Sequence, residues 1–184
     1  MLFEKLGFAT TYLVSVNRLF IEQVAEEIAA LPCPKFISYR ARDDIRFTDD
    51  MAFIFPHAGP AFRTDASLGM WEGSTVTNMT LQLAYHIGFR TVILVGVDHH
   101  FTTRGDPHRE VVSEGGDPDH FDPGYFGKGF RWQLPDLETS EVGYRLAKEA
   151  FERDGRRVVD ATVGGKLQVF EKVDYASLFG SGSH

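Results

Sequence analysis

Short unbroken apolar runs alternate along the chain with stripes at helical spacing. Tyr12-Leu13-Val14-Ser15-Val16 reads as a first strand, with Asn17 placed to cap the helix that follows. Over residues 18–31 the apolar positions Phe20, Ile21, Val24, Ala25 and Ile28 predict one helix, stopped by Pro32. Residues 35–39 and 51–55 predict the second and third strands. Ser74 and Thr75 open a helix whose stripe Val76, Met79, Leu83, Ala84 and Ile87 closes at Gly88. Residues 91–97 are a fourth strand, followed by a helix over 138–153 and a short strand over 157–159. That last helix turns Val142, Leu146, Ala147 and Ala150 inward, pairs Glu141 with Arg145 on its exposed side, and ends at Gly155. Strands and helices in this order imply an α/β fold of βαβ units, with a mostly parallel sheet and helices on both faces.

In such a sheet, ligands bind beyond the carboxyl ends of the strands. Those ends carry Asn17 and Arg18, then Arg40 and Arg42, then His57, and finally Asp98, His99 and His100. Residues 98–136 show no recognisable element, and a loop of that length inside a compact domain is usually functional or disordered. Its aromatic residues, among them Phe101, Phe121, Tyr125, Phe126, Phe130 and Trp132, favour packing. It also brings His108, Asp117, Asp119, His120 and Asp122, so four of the seven histidines and five aspartates fall within residues 98–122.

Imidazole with carboxylate is the usual ligand set for Zn or Mn, so Asp98, His99, His100, His57 and His120 form a candidate metal set. No His-Glu-x-x-His motif is present, and residues 117–122 are not an EF-hand loop. Two other readings compete: strand capping by Asp98 with a packed His99 and turn-forming aspartates, or a metal-free His/Asp pair for acid–base chemistry. Neighbouring strand positions point to opposite faces, so His99 and His100 are expected to differ in role. Gly73-Ser74-Thr75 at a helix start could hold a phosphate on free backbone N–H groups, or could be a simple cap. Gly164-Gly165-Lys166 and Gly127-Lys128-Gly129 read as turns, and Trp132 as packing or as a stacking surface.

Composition narrows the classes. The 184 residues, 43% hydrophobic and 24% charged, suit one soluble globular domain over residues 1–179, with Gly180-Ser181-Gly182-Ser183-His184 read as a tag remnant. A net charge of -7 without a basic stripe argues against a nucleic-acid partner. No window of eighteen apolar residues exists that could span a membrane. The single Cys33 cannot close an internal disulfide and suggests a reducing, cytoplasmic location; a nucleophilic role for it is the minor reading.

Several motifs agree in order with one family. Gly73-Ser74-Thr75-Val76-Thr77, Leu81-Gln82-Leu83-Ala84-Tyr85 and Leu94-Val95-Gly96-Val97-Asp98-His99 resemble the core of the motility-accessory-factor and 6-hydroxymethylpterin diphosphokinase-like proteins. So do His120-Phe121-Asp122-Pro123, Tyr125-Phe126-Gly127-Lys128-Gly129 and Asp160-Ala161-Thr162-Val163-Gly164-Gly165. The family is similar in fold to bacterial sialyltransferases that use a CMP-sugar, whose Rossmann-like domain shares the pattern Asn17-x-Leu19-Phe20-x-Glu22-Gln23. The resemblance implies a Rossmann-like fold, a nucleotide near Asn17, Ser74 and Thr75, and catalytic roles for Asp98 and, as base, His120. A Gly-Asn-Gly-Pro-Ser-Leu-type turn after the first strand is missing here. The chain is therefore expected to be an N-terminally truncated member lacking part of its nucleotide half, with an exposed sheet edge that favours a homo-oligomer.

Three functions follow as expectations. The first is a nucleotide-dependent transferase acting on a small-molecule substrate. The second is a divalent-metal hydrolase of phosphoesters or phosphotriesters using the His/Asp cluster. The third is a non-catalytic scaffold remnant.

Overall fold

The computed structural model describes residues 10–100, 105–115 and 127–179. In chain order the elements are β1 (Leu13–Ser15), α1 (Arg18–Gln23), α2 (Ala25–Ala30), β2 (Lys35–Ser38), β3 (Met51–Ile54) and α3 (Val76–Ile87). There follow β4 (Thr91–Leu94), β5 (Glu110–Val112), β6 (Arg131–Gln133), α4 (Leu137–Arg153), β7 (Arg157–Asp160) and β8 (Glu171–Lys172). None of the helices among the described residues is long and apolar enough to cross a membrane.

The parallel pairing follows the expected βαβ logic, but the single expected sheet divides. One three-stranded parallel sheet has the order β1-β2-β3, in register Val14 to Phe36 and Phe36 to Ala52. A second has the order β4-β7-β8, in register Val92 to Val158 and Val159 to Glu171. Among the described residues no ladder joins β1 to β4. The bridge between the halves is α3. Its Met79 and Leu83 pack with Ile54, Met70, Val14 and Val16 of the first half. Its Leu81 and Tyr85 pack with Leu94 and Val158 of the second half and with Tyr144, Ala147 and Phe151 of α4.

Among the described residues, helices cover both faces of the first sheet and one face of the second. Ile21 and Ile28 of α1 and α2 lie on the face of Ile37 and Met51, and α3 lies on the face of Phe36 and Ile54. On the second sheet, α3 and α4 both lie on the face of Val92 and Val158. The opposite face of β4 leaves Ile93 43% and Val95 58% exposed. The sequence also gives no warning of three local features. The helix expected over 18–31 breaks at Val24, whose φ of -128° and ψ of 26° leave the helical region. The loop over 98–136 contains the antiparallel β5–β6 hairpin, and β8 extends the second sheet.

Buried polar groups in this core are partnered. Lys35, fully enclosed, donates to the Cys33 carbonyl at 2.9 Å and to Asp50 at 2.6 Å. Buried Asp160 accepts from Lys172 at 2.6 Å and from the Thr162 N–H at 2.8 Å, tying the end of β7 to β8. At the crossing of α3 and α4, the side chains of Asn78 and Gln82 both donate to the Trp71 carbonyl at 2.8 Å. A Cβ on Gly143 would stand 2.8 Å from the Asn78 carboxamide, so only glycine lets the two helices approach.

Gly143→Ala is therefore expected to destabilise despite its gain in helix propensity. The buried clash and the disturbed Asn78 bonds cost about 1–3 kcal/mol in net stability, whereas exposed Val142→Ala stays within about 0.5 kcal/mol of the parent. Urea unfolding of both variants checks this, and equal midpoints would refute it.

Candidate functional site

A crevice of about 780 Å³ opens where the strand ends meet. Val16 and Asn17 reach it from β1, Arg40 from β2, His57 from β3, and Gly96 and Asp98 from β4. Both half-sheets thus direct their carboxyl ends to one place, as the strand-end argument anticipated. The crevice gathers Asn17, His57, Ser74, Thr75, Asp98, His99 and His100. Arg18 and Arg42 point elsewhere, to Asp44 at 2.5 Å and to Asp43 at 3.1 Å. His120, Asp117, Asp119 and Asp122 lie outside the described residues.

Gly73-Ser74-Thr75 forms the start of α3 on the crevice wall. Thr75 is the N-cap, its hydroxyl accepting from the Thr77 N–H at 3.3 Å. Gly73 and Ser74 both adopt left-handed backbone, with φ of 57° and 60°. At Gly73 a Cβ would come within 2.5 Å of the Asn78 amide nitrogen, so glycine is required there on two counts. Ser74 holds a conformation that costs a non-glycine residue about 1 kcal/mol or more, a form of strain that concentrates at binding sites. Behind this turn, the buried Tyr144 hydroxyl lies against the hydroxyls of Thr75 and Thr77, and burial raises its ionisation above that of a free phenol.

The two histidines differ in surroundings, but neither lies in the strand on which the expected alternation of faces rests, since β4 ends at Leu94. His99 has a left-handed φ of 52°, its side chain is 8% exposed, and its Nε2 stands 3.2 Å from Glu141. Its ring meets that of Tyr144 edge-on at 5.9 Å. His100 is exposed. Asp98 is held through its carbonyl, which accepts from the Lys166 N–H at 2.8 Å. The His57 backbone N–H donates to the Met70 carbonyl at 2.8 Å, while its Nδ1 is buried with no hydrogen-bond partner among the described residues. Such an orphaned atom in a cleft calls for a water or a ligand atom.

The expected metal ligands are not assembled by the residues described. No three His, Cys, Asp or Glu side chains among them gather closely enough to hold an ion. The cause is local: the left-handed turn at His99 carries its ring to Glu141. Cys33 is buried, and burial raises its thiol, which opposes a thiolate nucleophile. Gly164, with φ of 73°, is a turn residue as read from sequence.

Trp71 and Glu72, which gave no sequence signal, line the crevice, and so does Trp132, read from sequence as packing or as a stacking surface. Glu72 accepts from Ser38 at 2.5 Å and pairs with Arg40 at 3.4 Å, so its charge is compensated. Gln23 docks the β5–β6 hairpin on α1, its amide donating to the Arg131 carbonyl and accepting from the Arg131 N–H, each at 2.8 Å. That clamp spans 108 residues and is invisible to local patterns. It places Trp132 on the crevice wall.

No protein-family model, no curated protein and no solved structure matches the chain. The likeness to the motility-accessory-factor family therefore carries over only as part of a proposal.

Asp136 caps α4 beside the crevice, accepting from the Thr139 N–H at 2.9 Å and the Thr139 hydroxyl at 2.7 Å. These bonds, followed by His108, hold its carboxyl below the usual carboxylate range. A depressed folded-state value adds stability above the unfolded value, about 4, and that stability is lost as pH falls through the folded one. Asp136→Asn should keep the cap and flatten this part of the acid limb, whereas Asp136→Ala should cost about 1 kcal/mol at neutral pH. Denaturation between neutral and acid pH distinguishes the two, and an unchanged acid limb in Asp136→Asn would contradict the assignment.

Proposed function

We propose that the crevice binds the phosphate of a nucleotide and that the chain is a nucleotide-dependent transferase domain acting on a small-molecule substrate. The observation that carries this reading is the placement of the α3 N-terminus. Ser74, Thr75 and the Val76 N–H line the cavity that also receives the strand ends and the Nδ1 of His57, which has no partner among the described residues; the N–H groups of Thr77 and Asn78 are taken by Thr75. A helix start offers donors and a positive dipole end to an anion, and a histidine can add a further donor. Trp71 and Trp132 on the lining offer aromatic faces for a base. The motif likeness to the sialyltransferase-like family supports the same reading, with a Rossmann-like ancestry and a CMP-type ligand. On that likeness Asp98 and His120 are the catalytic candidates.

The family's Gly-Asn-Gly-Pro-Ser-Leu-type turn does not follow β1 here, so in this proposal the nucleotide is held without it. Exposed Ile93 and Val95 favour association with a second copy. Light scattering at micromolar concentration is expected to give a dimer or larger species. A monomeric mass would remove the oligomer from the account.

Calorimetric titration with CMP in the presence of a chelator tests the binding. Ser74→Gly relieves the left-handed strain and removes the hydroxyl together with its Cβ, so it should fold at least as stably and bind about tenfold more weakly. Equal affinity in the variant would take Ser74 out of the site, and no binding by the parent would refute the nucleotide reading.

A further inference from the structure

A second cavity, of about 570 Å³, opens beside α4 and shares only His99 and Leu137 with the strand-end crevice. The first turns of α4 give it Glu138, Glu141 and Arg145, and the chain after β7 gives it Lys166. Half of this charge is already committed. One Glu141 oxygen stands 3.2 Å from Nε2 of His99, and the other accepts from Arg145 at 3.0 Å. Glu138 and Lys166 have no ion pair among the described residues, either with each other or with another group. Two opposite charges thus share one cavity without meeting. His99 adds a third free group. Its side chain is 8% exposed. A carboxylate can only accept, so in the neutral ring the Nε2 facing Glu141 carries the proton and Nδ1 carries the lone pair. Nδ1 makes no hydrogen bond among the described residues, and an enclosed acceptor without a donor calls for a ligand atom or a water.

We infer that this cavity binds an apolar α-amino acid as its zwitterion. The ammonium group donates to Nδ1 of His99 and pairs with Glu138. The carboxylate pairs with Lys166, and the side chain rests on Leu137 and on Val142, which is 42% exposed. Charge selects this class of ligand. With two carboxylates and two cations the wall has no net charge, so it offers no field to a divalent cation or a phosphate. A neutral molecule with separated charges satisfies each free group and leaves no charge unpaired. Glu138 also sits in the first turn of α4, where a carboxylate favours the helix dipole. That accounts for its position but not for the free Lys166 and Nδ1. Ser74, Thr75 and His57 do not line this cavity, so the site stands apart from the nucleotide reading.

Amide NMR titrations without nucleotide test this, with L-leucine, N-acetyl-L-leucine and L-leucinamide as probes. Leucine should give saturable shifts from Leu137 to Arg145 and at Lys166. Each capped probe lacks one of the two charges and should bind about tenfold more weakly. Glu138→Gln should erase the preference for leucine over its acetyl form, and Lys166→Met the preference over the amide. Both positions are exposed, so both variants should keep the parent's stability. Equal binding of the three probes would overturn the inference, as would preferences unchanged in the two variants. Shifts confined to the crevice, or none up to about 10 mM leucine, would overturn it too. Because no nucleotide is present, none of these results depends on whether CMP binds at the start of α3.

Discussion

The carboxamide of Asn78 is wedged between two glycines, and the rest of the site depends on that contact. On one side it fills the space beside Gly73, and on the other the space beside Gly143 of α4. Its amide donates to the Trp71 carbonyl, which also receives Gln82. One buried polar group therefore sets the α3–α4 crossing and the turn that ends at the α3 cap. Because α3 packs on both half-sheets, the same crossing fixes where the two sets of strand ends meet. Burying an amide is tolerable because its partners are in place; removing them would expose the core to an unsatisfied group.

From that anchor the site divides into two chemical sides. The α3 start, Ser74, Thr75 and His57 offer donors to an anion. His99, together with Glu141 and Tyr144 of α4, forms a second hydrogen-bonding side. Tyr144 belongs to both, since its hydroxyl lies against Thr75 and Thr77 while its ring packs on His99. The β5–β6 hairpin, clamped by Gln23, closes the wall with Trp132.

Local features of the chain were legible before the structure, and contacts distant in sequence were not. The α3 helix could be read from Thr75 to Gly88 because cap, stripe and terminating glycine all lie within one short segment. The rim of Asn17, Arg40, His57 and Asp98 could be read because parallel strands deliver their ends to one edge. The division into two sheets could not, since hydrophobic periodicity reports that a strand exists and not which strand it pairs with. His99 was singled out, but as a possible metal ligand; its partner Glu141, 42 residues away, was assigned to the solvent face with Arg145. That assignment was half right, because Glu141 bonds both. The break at Val24 and the hairpin within 98–136 depend on tertiary contacts that override a continuous local pattern.

The central claim is that an anion is held at the start of α3 inside the strand-end crevice. Backbone amide NMR on adding CMP, in chelator, measures that location directly. The account predicts saturable shifts at Gly73 to Thr77 and at His57, with the exposed face of β4 around Ile93 unmoved. Shifts confined to other surfaces, or none at all at millimolar CMP, would contradict it.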